Sequence, residues 1–335
     1  VRIAEMYGCP VGEIGWVTSV DISANLRARG MEGYAFLAHE HLSECIELFR
    51  ARKAFRHTRA LIGAEGDTLP SVGVVSGIVD MQALRDRYGV AHTMVTATRF
   101  VDEMDRLPHE ATEEVEALTD RLIENAQACH MRREDVEPSV RFFVATKRLL
   151  QRHEANAFVI PCFEICATKV MEQRRVMFCL AHVLLKSMGI PSACEADFNV
   201  QIGIALLTYL SRKSVHMGNT WALDRDRNIL NISHDVPGLR MHGLDGPDLP
   251  YELRNFTVGG WGVTVRYDFA RDAGTPVTLA RFDPTASRVL VTEGELVGGQ
   301  GFDQIGCSLG AHVRIRDVRD FFEKQMDFGH HMALV

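Results

Sequence analysis

The texture of the chain changes near residue 212, and that change constrains the fold more than any single motif. Before it, short apolar β-type runs alternate with helical segments. After it, segments shorten, alternation of period two takes over, and Gly and Pro punctuate Ile229–Ser233, Phe256–Tyr267, Val277–Phe282, Arg288–Thr292 and His312–Ile315. Strands that alternate with helices build a parallel sheet covered on both faces. Serial short strands with turn signals build antiparallel sheets or barrels. The sequence therefore predicts an α/β fold with parallel sheets, followed by a β-rich, barrel-like C-terminal part.

The first part reads as follows. Val17–Ala24 is apolar and rich in Ser and Thr, and Leu42–Phe55 has Leu42, Cys45, Ile46 and Phe49 on one helical stripe. Strands are expected at Arg59–Gly63, Ser71–Ser76, Ala91–Thr96 and Asn156–Pro161, and Pro191–Ala196 leads into a strand end. Helices are expected at Met81–Tyr88 (closed by Gly89), His109–Ala128, Val136–His153, Met171–Met188 (stopped by Gly189) and Gln201–Leu210. The sequence starts at Val1 without Met and stops within an apolar run, so it reads as part of a longer chain.

Composition excludes several classes. Apolar residues make up 46% and charged residues 24% of 335 residues, too apolar for intrinsic disorder. The net charge of −7 argues against binding to nucleic acid or to an anionic membrane surface. Of eight cysteines, Cys162, Cys166, Cys179 and Cys194 fall within 33 residues in apolar surroundings. Such cysteines read as reduced and packed, which points to the cytoplasm. No run of 18 apolar residues predicts a membrane span.

Carboxylates in apolar context are the candidates for chemistry. Glu164 lies just beyond a predicted strand, in Pro161-Cys162-Phe163-Glu164, and Glu195 and Asp197 lie in Cys194-Glu195-Ala196-Asp197. The C-terminal ends of parallel strands are where α/β folds place their sites. Asp197 is also a natural helix N-cap. In an extended segment Glu195 and Asp197 would share a face, and two like charges together call for a metal or a proton. His330 and His331 stand between Gly329 and an apolar end, and His216, His234 and His242 are weaker candidates. Glu164, Asp197 and His330 or His331 form an oxygen-rich set that suits Mn²⁺, Mg²⁺ or Fe²⁺ better than thiolate zinc. There is no H-E-x-x-H, G-x-G-x-x-G or Walker lysine in the chain.

Several segments together resemble the L-fucose isomerase / L-arabinose isomerase superfamily, in particular its fucose isomerase-like members. They are Thr58–Gly63 with Ser71–Ser76, Phe158–Ile165, Gly189–Asn199 (GIPSACEADFN), Leu210–Asn219, Asn231–Pro237, Val291–Leu296 and Gly329–Val335 (GHHMALV). The likeness spans most of residues 55–335.

The resemblance implies Rossmann-like domains and a β-rich C-terminal domain: residues 1–55 as the remainder of an N-terminal α/β domain, 56–211 as a central α/β domain with the acidic ligands, and 212–335 with the ligand histidine. It implies an aldose–ketose isomerase acting on an open-chain sugar through an enediolate with Mn²⁺ or Mg²⁺. It also implies a homo-oligomer, trimer or hexamer, with sites near subunit interfaces. Asp197 matches the metal-binding aspartate, and His330, preferred to the adjacent His331, the C-terminal histidine. Glu164 is the partner acid and, with Asp197, the catalytic pair, with Glu172 and Glu195 as alternative acids. Asn199, His234, Trp261 and Gln300 are expected to contact substrate. An epimerase or another enzyme acting on a sugar or sugar acid on the same scaffold, and a non-catalytic sugar-binding protein, are the other readings.

Overall fold

The computed structural model describes residues 11–35, 39–64, 69, 73–78, 80–166 and 169–335. The chain forms two compact units, Val1–Lys53 and Ala54–Val335. In the first, α1 (Val11–Ala28) absorbs the apolar Val17–Ala24 stretch and ends at Gly30 in the left-handed region (φ 74°). Helix α2 (His39–Arg56) covers the predicted Leu42–Phe55 stripe and leads into the second unit.

The second unit opens with β1 (Arg59–Gly63), α3 (Met81–Tyr88), β2 (Ala91–Val95), α4 (Ala97–Asp105), α5 (His109–Asn125), β3 (Ala128–Cys129) and α6 (Arg133–Arg152). There follow β4 (Ala157–Val159), α7 (Cys162–Cys166), α8 (Val170–Arg174), α9 (Cys179–Ser187), β5 (Ser192–Ala193) and α10 (Phe198–Ser211). Strands β1, β2, β4 and β5 make a parallel sheet in the order β2-β1-β4-β5. The central strands are apolar throughout because helices cover them: Leu61, Ile62, Phe158 and Val159 have no exposed surface. Helix α3 is bounded by side-chain chemistry. Asp80 accepts the Ala83 N–H at its start, and Gly89 (φ 79°) ends it.

Beyond α10 come β6 (His216–Asp224), β7 (Ile229–Ser233), β8 (Glu252–Asn255), β9 (Val263–Arg266), β10 (Pro276–Phe282), β11 (Val289–Gln300), β12 (Gly310–Ile315), α11 (Val318–Gln325) and β13 (His331–Leu334). Six of these strands close an antiparallel ring, β10-β11-β12-β7-β6-β13. Leu230 and Ile232, Val277 and Leu279, Leu290 and Leu296, Ala311 and Val313, and Met332 and Leu334 belong to one apolar cluster. Alternate residues from strands all round a ring meet in one cluster when they point inward. Strands β3, β8 and β9 form a third, mixed sheet.

Helix α10 lies between the parallel sheet and the ring. It is apolar almost all round because its first two turns are buried on all sides, with Phe198, Val200, Ile202 and Ile204 fully enclosed. Gly203 permits the close approach: a Cβ there would sit 3.2 Å from the Ala280 carbonyl oxygen of β10.

Three expected elements differ. Met171–Met188 is two helices, because Arg175 turns left-handed (φ 54°) and reaches Asp135 at 2.6 Å and the Gly260 carbonyl at 3.3 Å. Phe256–Tyr267 is not one strand: the chain reverses between β8 and β9 through Gly260 and Gly262, both at positive φ. Of Ser71–Ser76, residues 71 and 72 lie outside the described residues, and 73–76 form a bend and turn around Gly73 (φ 90°), a backbone state no strand adopts.

Candidate metal centre

The parallel sheet and the ring each deliver part of one buried cluster. Glu195 follows β5 on the side of the parallel sheet where the strands' carboxyl ends lie, the side on which α/β folds place their sites. His234 follows the last residue of β7, and His331 is the first residue of β13. Each offers a ligand atom, all within 4.8 Å of one another, and all three residues are buried. His234 Nε2 lies 3.1 Å from Glu195 Oε1, and His331 Nε2 lies 3.7 Å from Glu195 Oε2.

The turn that carries Glu195 is strained. Glu195 and Ala196 both adopt left-handed backbone, at φ 58° and 53°. For side-chain-bearing residues that costs about 1–2 kcal/mol each. The turn is held by the Ala196 N–H donating to the Ile160 carbonyl at 2.9 Å and by the Asp197 N–H donating to the Cys194 carbonyl. Glu195 and Asp197 are therefore not side by side on an extended segment, as their spacing suggested. Gly73 lies against this turn, since a Cβ there would meet Glu195 Oε2 at 3.1 Å and Phe163 at 2.9 Å.

Asp197 stands behind the cluster. Its Oδ1 caps α10 by accepting the Val200 N–H at 3.0 Å. Its Oδ2 lies 2.8 Å from His331 Nδ1 and accepts from Arg281 Nη1 at 2.5 Å. Arg281 is fully buried and ties three segments together. It also donates to the Phe328 carbonyl at 2.6 Å, to the His331 carbonyl at 3.2 Å and to Ser76 Oγ at 3.3 Å. A carboxylate on Nδ1 sets the tautomer so that Nε2 is the free nitrogen, the usual support for a metal-ligating histidine.

The electrostatics follow from these contacts. Burial pushes the Asp197 carboxyl up, but Arg281 and His331 outweigh it and hold the group well below the usual carboxylate range. Burial likewise opposes ionisation of Glu195, and the hydrogen bond from His234 with the nearby His331 brings it below its ordinary value. His331 is lowered by burial, only partly countered by Asp197. His330, lowered to about 4 by burial and by His331, stays neutral at pH 7. A neutral imidazole at His331 beside an ionised Glu195 is the protonation state a cation needs.

The residues fit a divalent ion. His331 Nε2 is buried without a hydrogen-bond partner, a group that is costly unless something binds it. Two imidazole nitrogens and one carboxylate are a donor set for Mn²⁺, Fe²⁺ or Zn²⁺. His234 Nδ1 accepts the Asp235 N–H at 3.2 Å, which places the ring proton on Nε2 facing Glu195. For Nε2 to hold a cation the ring proton must sit on Nδ1 instead, and the contact with the Asp235 N–H is given up.

The remaining expected residues are distributed as follows. The Glu164 side chain lies outside the described residues, and its backbone is in α7. Glu172 is exposed on α8. The cluster takes His331 and not the preferred His330, whose ring lies tilted beside that of His331 with centroids 4.1 Å apart and whose carbonyl accepts from Thr220 Oγ1 at 2.8 Å. Asn199 is buried in α10 and donates to the Phe282 carbonyl at 3.3 Å. Trp261 sits in the β8–β9 turn, where its N–H meets Thr257 Oγ1. Gln300 ends β11 and bonds His312 at 3.1 Å. The sequence reading singled out His234 as a substrate contact and Glu195 as a spare acid. It missed Arg281, a lone arginine in an otherwise ordinary strand pattern.

Among the described residues no helix is long and apolar enough to cross a membrane. No family model matches the chain, and no curated protein matches it significantly.

Proposed function

We infer that the chain is a metal-dependent enzyme that moves a proton between adjacent carbons of an open-chain sugar, an aldose–ketose isomerase. The observation that supports this most is the convergence of Glu195, His234 and His331 from two separate sheets onto one buried point, with Asp197 holding His331. The resemblance of Gly189–Asn199 and Gly329–Val335 to the fucose isomerase-like proteins supplies the reaction type. Two nitrogen donors favour Mn²⁺ over Mg²⁺, which prefers an all-oxygen octahedron.

A divalent ion here would supply Lewis-acid polarisation of two neighbouring substrate oxygens. The chain's own groups handle the protons. Glu195 is the acceptor in this reading, because its carboxylate is ionised and points at the cluster. It takes the hydrogen from C2 as a proton and returns it to C1, while the O2 hydroxyl proton passes to O1. Asp197 is a poor acceptor, since both its oxygens are engaged and it is held strongly acidic. It acts through the orientation of His331. Glu164 is the second acid of the proposed pair. The proposed assembly is a homo-oligomer.

The test is a panel of pentoses, hexoses, their ketoses and sugar acids in D₂O, with and without Mn²⁺. Isomerisation brings deuterium into C1 of a ketose formed from an aldose, or into C2 of an aldose formed from a ketose, and needs the metal. Exchange at a single carbon with inverted configuration would assign an epimerase instead. No exchange into any substrate ends the proton-transfer reading.

A further inference from the structure

Two cysteines adjoin the centre and take no part in it. Cys162 opens α7 just past the end of β4, and Cys194 follows the last residue of β5. The pairing of Val159 with Ala193 sets these strand ends side by side. Both thiols are free and buried, and their sulfurs are 3.6 Å apart. A disulfide holds its sulfurs at about 2.0 Å, so bonding needs an approach of roughly 1.5 Å.

The geometry points to a redox modification site: a peroxide converts Cys162 and Cys194 to a disulfide, and that bond draws the Glu195 carboxylate away from His234 and His331. Cys162 is the more accessible residue, 9% exposed against 2% for Cys194, and its neighbour Phe163 is half exposed. The Cys162 thiolate attacks one peroxide oxygen, the O–O bond breaks, and the departing hydroxide takes up the thiol proton as water. The Cys194 sulfur then attacks the Cys162 sulfenic sulfur, the S–O bond breaks, and a second water leaves with the Cys194 proton. Two thiols are oxidised by two electrons, and one hydrogen peroxide is reduced to two waters. A dithiol reverses the bond.

The movement cannot be absorbed elsewhere in the turn. Cys194 is bonded directly to Glu195, and Glu195 and Ala196 already sit in left-handed backbone. On the far side Asp197 is clamped by Arg281, His331 and the Val200 N–H. A pull on Cys194 therefore falls on Glu195. The effect on metal rests on the proposed metal centre, whereas the disulfide itself does not.

The full chain is treated with hydrogen peroxide, alkylated, digested without reductant and mapped by mass spectrometry. The Cys162 and Cys194 peptides are expected to be joined, and in Cys162→Ser the link is absent. Recovery of both as alkylated thiols, or their linkage to other cysteines, overturns the site. In parallel, Mn²⁺ is titrated by electron paramagnetic resonance. Affinity is expected to fall at least tenfold on oxidation, to return with dithiothreitol, and to be unaffected by peroxide in Cys162→Ser. A mapped disulfide with unchanged Mn²⁺ affinity overturns the coupling to Glu195. No Mn²⁺ binding to the reduced protein overturns the metal reading, while a mapped link in that sample still supports the thiol pair.

Discussion

His331 Nδ1 lies 2.8 Å from Asp197 Oδ2, and the same oxygen accepts from the buried Arg281. One carboxylate thus orients the imidazole of β13, neutralises an arginine with no solvent around it, and caps α10 through its other oxygen. Its functional and structural duties share one atom pair, which lets them be separated by experiment.

Asp197→Asn keeps the cap, since Asn and Asp cap helices equally well. It removes the negative charge behind His331 and in front of Arg281. Mn²⁺ affinity should fall about 10–100-fold, the usual effect of losing such a support. Stability should fall by about 3–5 kcal/mol, because a buried guanidinium is left unpaired. In Asp197→Asn combined with Arg281→Met, part of the stability returns and the affinity does not. Urea unfolding and Mn²⁺ titration of the two variants check both halves. Equal recovery of affinity in the double variant would place His331 outside the influence of Asp197.

The ring should respond to substitution according to the side of the strand. Leu279 on β10 is fully buried within the apolar cluster of the ring, whereas Val291 on the neighbouring β11 is 56% exposed. Leu279→Ala should cost about 2–5 kcal/mol and Val291→Ala less than about 0.5 kcal/mol. Similar losses at both positions in thermal unfolding would contradict the inward assignment of Leu279.

Much of this arrangement was legible in the residues, and the exceptions share a cause. Strand β1 and helix α3 fall at the expected residues because local signals define them: a short apolar run for one, and Asp80 and Gly89 at the ends of the other. The change of texture near residue 212 does mark the passage from parallel sheet to antiparallel ring. Asp197 as a cap was legible for the same local reason. Long-range partners carry no such signal. Arg281 meets Asp197 across 84 residues, and nothing in Pro276–Phe282 distinguishes it from a surface arginine. The relation of Glu195 to Asp197 was misjudged because two successive left-handed residues defy the propensity of Glu and Ala. Strand β3 has two residues, too few to show a period.

Gly218 on β6 keeps the ligand-bearing strands in register. A Cβ there would lie 2.5 Å from the Ser233 backbone nitrogen and 2.8 Å from the Ile232 carbonyl carbon, so β7 must move. Backbone cannot swing aside as a flexible side chain does. Gly218→Ala should cost about 1–3 kcal/mol. It should also weaken Mn²⁺ binding, because His234 follows Ser233 directly and His331 pairs with Asn219 on the other edge of β6. A stable variant with unchanged Mn²⁺ affinity in calorimetric titration would show that the centre does not depend on this register.

Lys186 on α9 is buried, and its Nζ donates to the Val236 carbonyl at 2.6 Å. Burial lowers its ammonium from 10.5 to about 7. The depressed group is a base, so the folded state favours its neutral form. Between pH 10.5 and 7 the unfolded chain holds a proton there that the folded chain lacks. Stability then rises with pH across that window, with a slope approaching about 1.4 kcal/mol per unit. Below pH 7 both states are charged and the slope from this group vanishes. In Lys186→Met the group is gone. The lost bond to Val236 shifts stability by a constant, and His182 and His216, which burial and Lys186 hold well below 6.5, are neutral across this range. The difference in unfolding free energy, parent minus variant, should therefore climb steadily from pH 7 to pH 10 in urea titrations. Parallel curves over that range would show that Lys186 keeps its charge inside the folded protein.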